Sequence, residues 1–159
     1  MKTLKRVVSI CVLSSTGFAL QAVAQQRPDY GLDITVEAAK KIAAATVAEC
    51  TTNKWNVAVA VVNTHGSLVY YERMNNTQSA SARIAVDKAS AAAMYRRPTR
   101  AFVDAIASSG PATLSLPGVV ASPGGLPIMS GGKVIGGVGV SGVTGDQDEQ
   151  CAKAGLAGM

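Results

Sequence analysis

The sequence NVAVAVVNTHGSLVYYERM, residues 56–74, decides the predicted fold. Its first part, 56–62, is short, apolar and β-branched, which is typical of a strand buried on both faces. The residues Asn63-Thr64-His65-Gly66 favour a turn. Residues 68–71 then predict a second strand that closes on Glu72-Arg73-Met74. The stretch therefore predicts a β-hairpin.

Helices are predicted on either side of this hairpin. Upstream, apolar residues recur at helical spacing over 36–52, and Thr35 is the expected N-cap. Downstream, the alanine-rich stretch 79–95 predicts a helix whose small side chains let it lie very close to a sheet. Pro98 ends that helix, and a short third helix is expected from Thr99 to Ile106.

The glycine-rich last third predicts the rest of the sheet. Residues 126–129 and 133–141 have the pattern of strands, and 119–121 is a further short strand. A final helix is expected to start at Thr144 or Asp146. The predicted order is α-β-β-α-α-β-β-β-α, which favours an α/β domain of the α+β kind, an antiparallel sheet with helices packed on it.

Residues 1–24 have the three parts of a secretion signal. Three basic residues precede an uncharged stretch over 7–20, and Ala22-Val23-Ala24 has the small residues of a cleavage site. The apolar run is shorter than the ~20 residues that a membrane-spanning helix needs. We expect cleavage after residue 24, no membrane anchor afterwards, and a periplasmic or secreted protein that is a single domain over 25–159.

Cleavage changes both the charge and the cysteine count. The whole chain carries a formal charge of +5, but the signal holds three of its fifteen basic residues, which leaves twelve against ten acidic ones. No basic stripe with interleaved aromatic residues is present, so nucleic acid is not an expected partner. Cys50 and Cys151 remain. In an oxidising compartment they permit a disulfide, and the alternative is two buried thiols.

The pattern GVGVSG at 137–142 matches the G-x-G-x-x-G motif of dinucleotide-binding proteins. The alternation of valine and glycine explains it more simply as a strand with one face made mostly of glycine. Such a face lets a helix or a ligand approach the backbone closely.

Three groups of residues are candidates for ligand contacts. Arg96, Arg97 and Arg100 either complement the negative end of a helix or hold carboxylates. The segment 124–127, Gly-Gly-Leu-Pro, is either a turn or bulge or a way of bringing backbone N–H groups to a ligand. His65, the single histidine, is either an exposed turn residue or an axial ligand to a metal in a porphyrin.

An enzyme is the second hypothesis. A small metabolite would bind between the second helix and the glycine-faced strand, near Arg73 and the segment 124–127. Lys88 is the best general-base candidate because burial lowers a lysine pKa, and its alternative interpretation is a solvated helix residue. The sequence offers no activated nucleophile, so this hypothesis ranks below ligand binding.

The chain resembles the GlcG/HbpS-like family, whose domain is described as haem-degrading or haem-binding. The resemblance runs from about residue 32 to the C-terminus. It is carried by Thr35–Ala39, the hairpin strands ending in Glu72-Arg73-Met74, Asp87-Lys88-Ala89, Arg96-Arg97-Pro98-Thr99, Gly124–Pro127, and Val138–Gly142 through Asp148–Cys151.

The resemblance implies a profilin-like or roadblock-like domain, with a five-stranded antiparallel sheet and helices on both sides. It implies homo-oligomers and, for exported members, binding of haem, in one case in support of a sensor kinase. Threonine and histidine are both implicated as axial ligands in the family, and Thr99 and His65 are the matching residue types here. The family usually has an Asp-Ala-Gly-Gly-like hairpin where this chain has Asn63-Thr64-His65-Gly66.

The sequence therefore predicts an exported protein that binds a small ligand, most simply haem or a related tetrapyrrole. The alternatives are the small-metabolite enzyme and an oligomeric scaffold or partner of an exported sensor domain. The predicted ligand-binding residues are Arg73, Met74, Lys88, Arg96, Arg97, Thr99, Arg100, Gly124, Gly125 and Pro127, with His65 or Thr99 on the iron.

Overall fold

The computed structural model of the protein describes residues 26–159, so the predicted signal at 1–24 lies outside the described residues. The described elements are the helices α1 (Val36–Thr52), α2 (Ser81–Tyr95), α3 (Arg100–Ser109) and α4 (Gly145–Ala157), the strands β1 (Ala58–Val62), β2 (Leu68–Arg73), β3 (Gly125–Ser130) and β4 (Lys133–Ser141), and a 3₁₀ turn at Pro111–Ser115. No helix in this part of the chain combines the length and the apolar character needed to cross a membrane.

The four strands form one antiparallel sheet in the order β2-β1-β4-β3. All five residues of β1 are buried, because β1 lies inside the sheet with helices over both faces. This confirms the hairpin and the α+β class. The likeness to profilin and roadblock domains stays a prediction.

The prediction of five strands is wrong, because residues 119–121 form a loop and the described sheet has four strands. The segment before α1, residues 26–34, which we call the lead-in, runs beside the start of β4 at residues 29–34 instead. There the N–H of Val134 donates to the carbonyl of Asp29, and the N–H of Gly31 donates to the carbonyl of Val134, each at 2.8 Å. The pairing of β1 with β4 ends at Val62 and Gly137. The lead-in therefore forms hydrogen bonds with backbone groups near the start of β4 that β1 leaves unpaired.

The two faces of the sheet differ in composition. On the face that we call the valine face, Val59 and Val61 of β1 and Val138 and Val140 of β4 pack with residues of α1 and α4. On the opposite face, the alanine–glycine face, Ala58, Ala60, Gly137 and Gly139 lie against α2. The alternation of strand side chains produces this division.

Helix α2 packs directly on the glycines of β4. A Cβ atom at Gly139 would collide with the backbone carbonyl of Ala85, and one at Gly137 would collide with that of Ala89. The pocket predicted between the second helix and the glycine-faced strand is therefore wrong, since the helix backbone itself fills that space.

A disulfide joins the two helices of the valine face. Cys50 of α1 and Cys151 of α4 are fully buried, with an S–S distance of 2.01 Å and a Cα–Cα distance of 5.7 Å.

Thr144 caps α4 and forms a capping box with Gln147. Of the two predicted starts of this helix, Thr144 is therefore confirmed and Asp146 is wrong.

Candidate functional site

Lys88 is buried and paired with Asp148, 60 residues further along the chain. The Lys88 Nζ donates to Asp148 Oδ2 at 2.8 Å and to the carbonyl of Val140 at 3.1 Å, and both charged side chains are only 2% exposed. The interpretation of Lys88 as a solvated residue is therefore wrong. The pair joins α2, β4 and α4 in the interior.

The carboxyl of Asp148 is held in an unusual environment. Burial raises its pKa above the ordinary value, while the Lys88 ammonium and the N–H of Val143 act in the opposite direction. A general base must present a free lone pair that accepts a proton from the substrate, whereas the Lys88 Nζ is buried and donates to a carboxylate and a carbonyl. The geometry thus indicates a structural role for the Lys88–Asp148 pair, which links α2, β4 and α4.

Thr99 and the segment 124–127 lie next to the Lys88–Asp148 pair. The Thr99 hydroxyl donates to the carbonyl of Ser122 at 2.7 Å and accepts the N–H of Gly125 at 3.0 Å, and the residue is fully buried. Because its donor and an acceptor position are both used, the hydroxyl is not open to a haem iron in this conformation.

The glycines serve close packing. A Cβ atom at Gly124 would lie 2.8 Å from the Cβ of Asp148 and 3.0 Å from the Nζ of Lys88. Pro127 pairs with Gly137 inside the sheet. The segment 124–127 thus forms the start of β3 next to the buried pair. This favours its interpretation as a structural element over its interpretation as a ligand-binding segment.

The three candidate arginines near the end of α2 are separated. The Arg100 guanidinium pairs with Asp146 and Glu149 of α4, and hydrogen bonds to these two carboxylates raise its pKa. Arg96 and Arg97 point instead toward a cleft beside the lead-in segment.

The two candidates at the end of β2 have structural partners of their own. The Arg73 guanidinium donates to the carbonyl of Thr77, and Met74 is half-buried against the core of the valine face. The structure therefore brings Lys88, Thr99, Gly124 and Gly125 into contact in the interior, but it does not gather all of the predicted ligand-binding residues in one site.

His65 lies in the β1–β2 turn, which packs against α2. The carbonyl of Gly66 accepts the hydroxyl of Ser90 at 3.0 Å, and a Cβ atom at Gly66 would lie 2.9 Å from the sulfur of Met94. The His65 side chain is exposed, one residue from these contacts.

Hydrogen bonds fix the shape of this turn. The side-chain oxygen of Asn63 accepts the N–H groups of His65 and Ser67, at 3.0 and 2.9 Å. The carboxylate of Asp33 accepts both the N–H and the hydroxyl of Thr64. These two bonds from Thr64 hold the pKa of Asp33 below its ordinary value, and the charge of His65 adds to the effect.

Ser90 and Met94 also line a groove of about 260 Å³, which we call the α2 groove. It lies between the exposed side of α2 and the loop 117–120. The other residues along it are Arg83, Asp87 and Tyr95 of α2 and Pro117, Gly118, Val119 and Val120 of the loop.

The walls of the α2 groove are mostly apolar, with charges at one end. The Tyr95 hydroxyl donates to the carbonyl of Pro117 at 2.6 Å, which fastens the loop to the helix. Met94 is 52% exposed. Arg83 forms an exposed ion pair with Asp87 at 2.8 Å. The sequence does not predict this groove, because Val119 and Val120 were assigned to a short strand at 119–121 and Pro117 and Gly118 to the loop before it.

The residues that line the groove include the Met94 thioether, the Ser90 and Tyr95 hydroxyls and the Arg83–Asp87 ion pair. The His65 imidazole belongs to the adjoining turn, whose Gly66 contacts Ser90 and Met94. Imidazole and thioether are both axial ligands of haem iron in proteins, and guanidinium binds carboxylates. Within residues 26–159, no three histidine, cysteine or acidic side chains cluster as metal ligands.

Comparison with known proteins identifies the family. The profile of the family described as "Haem degrading protein HbpS-like" matches residues 34–157. The chain belongs to the HbpS-like family. The match spans α1 to α4, so it covers both the α2 groove and the buried Lys88–Asp148 pair.

Relatives of this HbpS-like chain agree with the match. Protein GlcG of Escherichia coli K12 is 36% identical over 108 residues, which cover 68% of this chain and 81% of GlcG. The crystal structure of a double mutant of HbpS from Streptomyces reticuli gives a TM-score of 0.75 at 32% identity, covering 87% of this chain and 97% of that one.

A further structural neighbour is the crystal structure of a complex of PduOC with haem. It gives a TM-score of 0.75 at 24% identity and covers 80% of this chain and 96% of PduOC. At this identity the likeness supports the fold. The family match, GlcG and HbpS confirm the resemblance deduced from the sequence motifs.

Proposed function

We propose that this HbpS-like protein binds haem or a related tetrapyrrole in the α2 groove, with His65 as the residue that reaches the iron. The observation that carries the proposal is the contact of the His65-Gly66 turn with Ser90 and Met94, which line the groove. The family description and the haem complex of PduOC support the choice of ligand.

The groove has chemistry that suits such a ligand. A tetrapyrrole has two apolar faces and carries carboxylates at one edge, and Met94, Val119 and Val120 offer an apolar surface. The side chain of Arg83 is 83% exposed in its pair with Asp87. An exposed ion pair of this kind contributes little to stability, so its guanidinium is free to exchange Asp87 for a ligand carboxylate.

Bound haem iron supplies ligand exchange and one-electron chemistry. This chain contributes the apolar walls that exclude water from the ring, an imidazole on a turn held by Asn63 and Asp33, and a guanidinium at one end. The proposed role is therefore binding rather than catalysis. The alternative enzyme hypothesis has lost its pocket, since α2 fills the space beside the glycines.

Hemin titration of the purified protein tests the proposal. We expect a shifted Soret band at micromolar hemin and a changed band position for His65→Ala. Met94→Leu keeps the apolar volume but removes the sulfur, so a further spectral change would place that atom near the iron. Gln78→Ala, an exposed loop residue outside the groove, is the matched control.

Absence of a Soret shift would overturn the proposal. An unchanged spectrum for His65→Ala would overturn the assignment of the iron ligand. Thr99→Ser, which keeps the buried hydroxyl, should leave the spectrum unchanged.

We also propose that the protein is exported, with residues 1–24 as a cleaved signal and a periplasmic or secreted location. The Cys50–Cys151 disulfide supports this, because such bonds persist in oxidising compartments. N-terminal sequencing of protein recovered from the periplasm or medium should begin at Gln25. An uncleaved N-terminus would contradict the proposal.

A homo-oligomer is proposed on the basis of exposed apolar side chains. Leu32 is 90% exposed, and Leu68, Leu114 and Leu116 are each at least 45% exposed. Light scattering coupled to gel filtration should give a mass above that of one chain. A scaffold or sensor-partner role would follow if a periplasmic extract yields a bound exported domain.

A further inference from the structure

We propose that the protein has an oxyanion-binding site in a second cleft, which takes a carboxylate or phosphate group without haem. This cleft, the arginine cleft, has a volume of about 120 Å³. Arg27 and Pro28 of the lead-in line one side, and Arg96, Arg97 and Pro98 after α2 line the other. The proposal is independent of the haem proposal, because it needs neither His65 nor the α2 groove.

The three arginines that line the cleft come from two distant parts of the chain. Arg27 Nη1 donates to the carbonyl of Tyr95 at 2.8 Å, and Arg96 Nη1 donates to the carbonyl of Pro28 at 3.1 Å. These reciprocal bonds fasten the lead-in to the end of α2. They also orient the two arginines before any ligand arrives, which lowers the entropy cost of binding.

The charges of the arginine cleft are not neutralised. Over residues 26–159, no carboxylate lies within 4.0 Å of Arg27, Arg96 or Arg97, whereas Arg83 and Arg100 are both paired with acids. Asp29 lines a neighbouring depression with Arg27 but forms no ion pair there. A helix C-terminus carries about half a negative charge, so the end of α2 offsets only part of the three positive charges.

Arg97 has a buried donor that lacks an acceptor. Among the described residues its Nε makes no hydrogen bond, although the atom is out of contact with solvent. The central carbon of its guanidinium, Cζ, lies 5.3 Å from the centroid of the Phe102 ring. This stacking holds the guanidinium beside the arginine cleft, and its two Nη groups, rather than the buried Nε, are the donors proposed to bind the oxyanion.

Arg96 adopts a backbone conformation that favours glycine. Its φ is 53°, at the position after a helix where glycine is usual. The left-handed conformation is unfavourable for an arginine. Its side chain lies over the ring of Tyr30 and reaches Pro28, so the conformation directs a guanidinium to the cleft that a glycine would not provide.

Calorimetric titration of the full chain with inorganic phosphate, and separately with succinate, tests the site at constant ionic strength. We expect saturable binding of one or both, with a Kd of about 1 mM or tighter. The stronger of the two identifies whether the site prefers a phosphate or a carboxylate.

Variants locate the binding. Arg97→Gln should weaken it about tenfold or more, as expected for loss of a charged hydrogen bond. Arg97→Lys should also weaken it, since a lysine keeps the charge but loses the forked donors. Arg27→Gln lies outside the helices and repeats the test if Arg97 variants melt early. Lys40→Gln, an exposed residue of α1, makes the same charge change elsewhere and should bind like the unaltered chain.

Absence of saturable binding of both anions would overturn the proposal, as would equal weakening by Lys40→Gln. The two proposals fail separately. His65→Ala should retain anion binding, and Arg97→Gln should retain the Soret shift.

Discussion

The two faces of the sheet use the same strands but pack in different ways. On the valine face, branched side chains fill the space below α1 and α4, and the Cys50–Cys151 disulfide joins the two helices. On the alanine–glycine face, α2 approaches until its backbone touches β4. The comparison teaches that the first face relies on side-chain volume and a covalent link, while the second relies on the absence of side chains.

The largest effect is expected on the alanine–glycine face. Gly139→Val places a branched side chain where even a Cβ would collide with the carbonyl of Ala85. Backbone cannot move aside as a side chain can, so we expect a loss of more than about 5 kcal/mol in the free energy of unfolding, or no folded protein. Urea denaturation followed by circular dichroism measures this.

Gly158→Ala is the matched control for that substitution. A Cβ at Gly158 would lie 3.9 Å from its nearest neighbour, so the change should be nearly neutral. If Gly139→Val folds with comparable stability, the contrast between the two faces is wrong.

The buried pair joins the two faces, and breaking it should have the next largest effect. Lys88→Met leaves the carboxylate of Asp148 buried without its cation, which should cost roughly 3–5 kcal/mol. Removing both charges in Lys88→Met/Asp148→Leu should restore part of the loss. A double-mutant cycle from thermal or urea melts measures the coupling, and additive losses would contradict it.

Reduction of the disulfide should weaken the valine face by a smaller amount. The bond closes a loop with a sequence separation of 101 residues, and removing a native disulfide of this kind costs about 2–4 kcal/mol. Melting with and without a reducing agent measures the loss. Cys50→Ala/Cys151→Ala should melt at one temperature in both buffers, and no effect of reduction on the unaltered chain would contradict the prediction.

The smallest effect concerns the turn beside the α2 groove. Because the pKa of Asp33 is lowered in the folded state, its ionised form stabilises the fold above its ordinary pKa of 3.8, and this stability is lost as the pH falls through the lowered value. Asp33→Asn should cost about 1 kcal/mol or less at pH 7, since the group is exposed.

The gap between Asp33→Asn and the unaltered chain should close at acidic pH. Melting curves from pH 7 to pH 2 measure it, because the stabilisation is lost only below pH 3.8. Asp104→Asn, an exposed residue of α3, makes the same charge change as a control. A gap that widens on acidification would have the wrong sign for this mechanism.

Local patterns in the sequence predicted most of the elements. The bounds of α1 match the expected 36–52, and Thr144 caps α4 as one of the two expected starts. Both follow from periodicity and capping, which depend on residues within one or two turns of each other. The family resemblance also came from short motifs in a fixed order along the chain.

The candidate site was predicted less well, because its residues depend on partners far along the chain. His65 was identified by its residue type, but Met94 and the loop 117–120 were not. Arg27 was missed because the lead-in has no periodic pattern, and the structure alone brings it to Arg96. No local signal in the sequence separates Arg100 from its two neighbours.

The sequence by itself determined the hairpin, the helices, the glycine face of β4 and the family. The tertiary structure decided that α2 fills the space beside those glycines, that Lys88 is buried against Asp148, and that Cys50 meets Cys151. The physical reason is the range of the interactions. Periodicity and capping are set by neighbours in the chain, whereas charge pairing and packing are set by residues that only folding brings together.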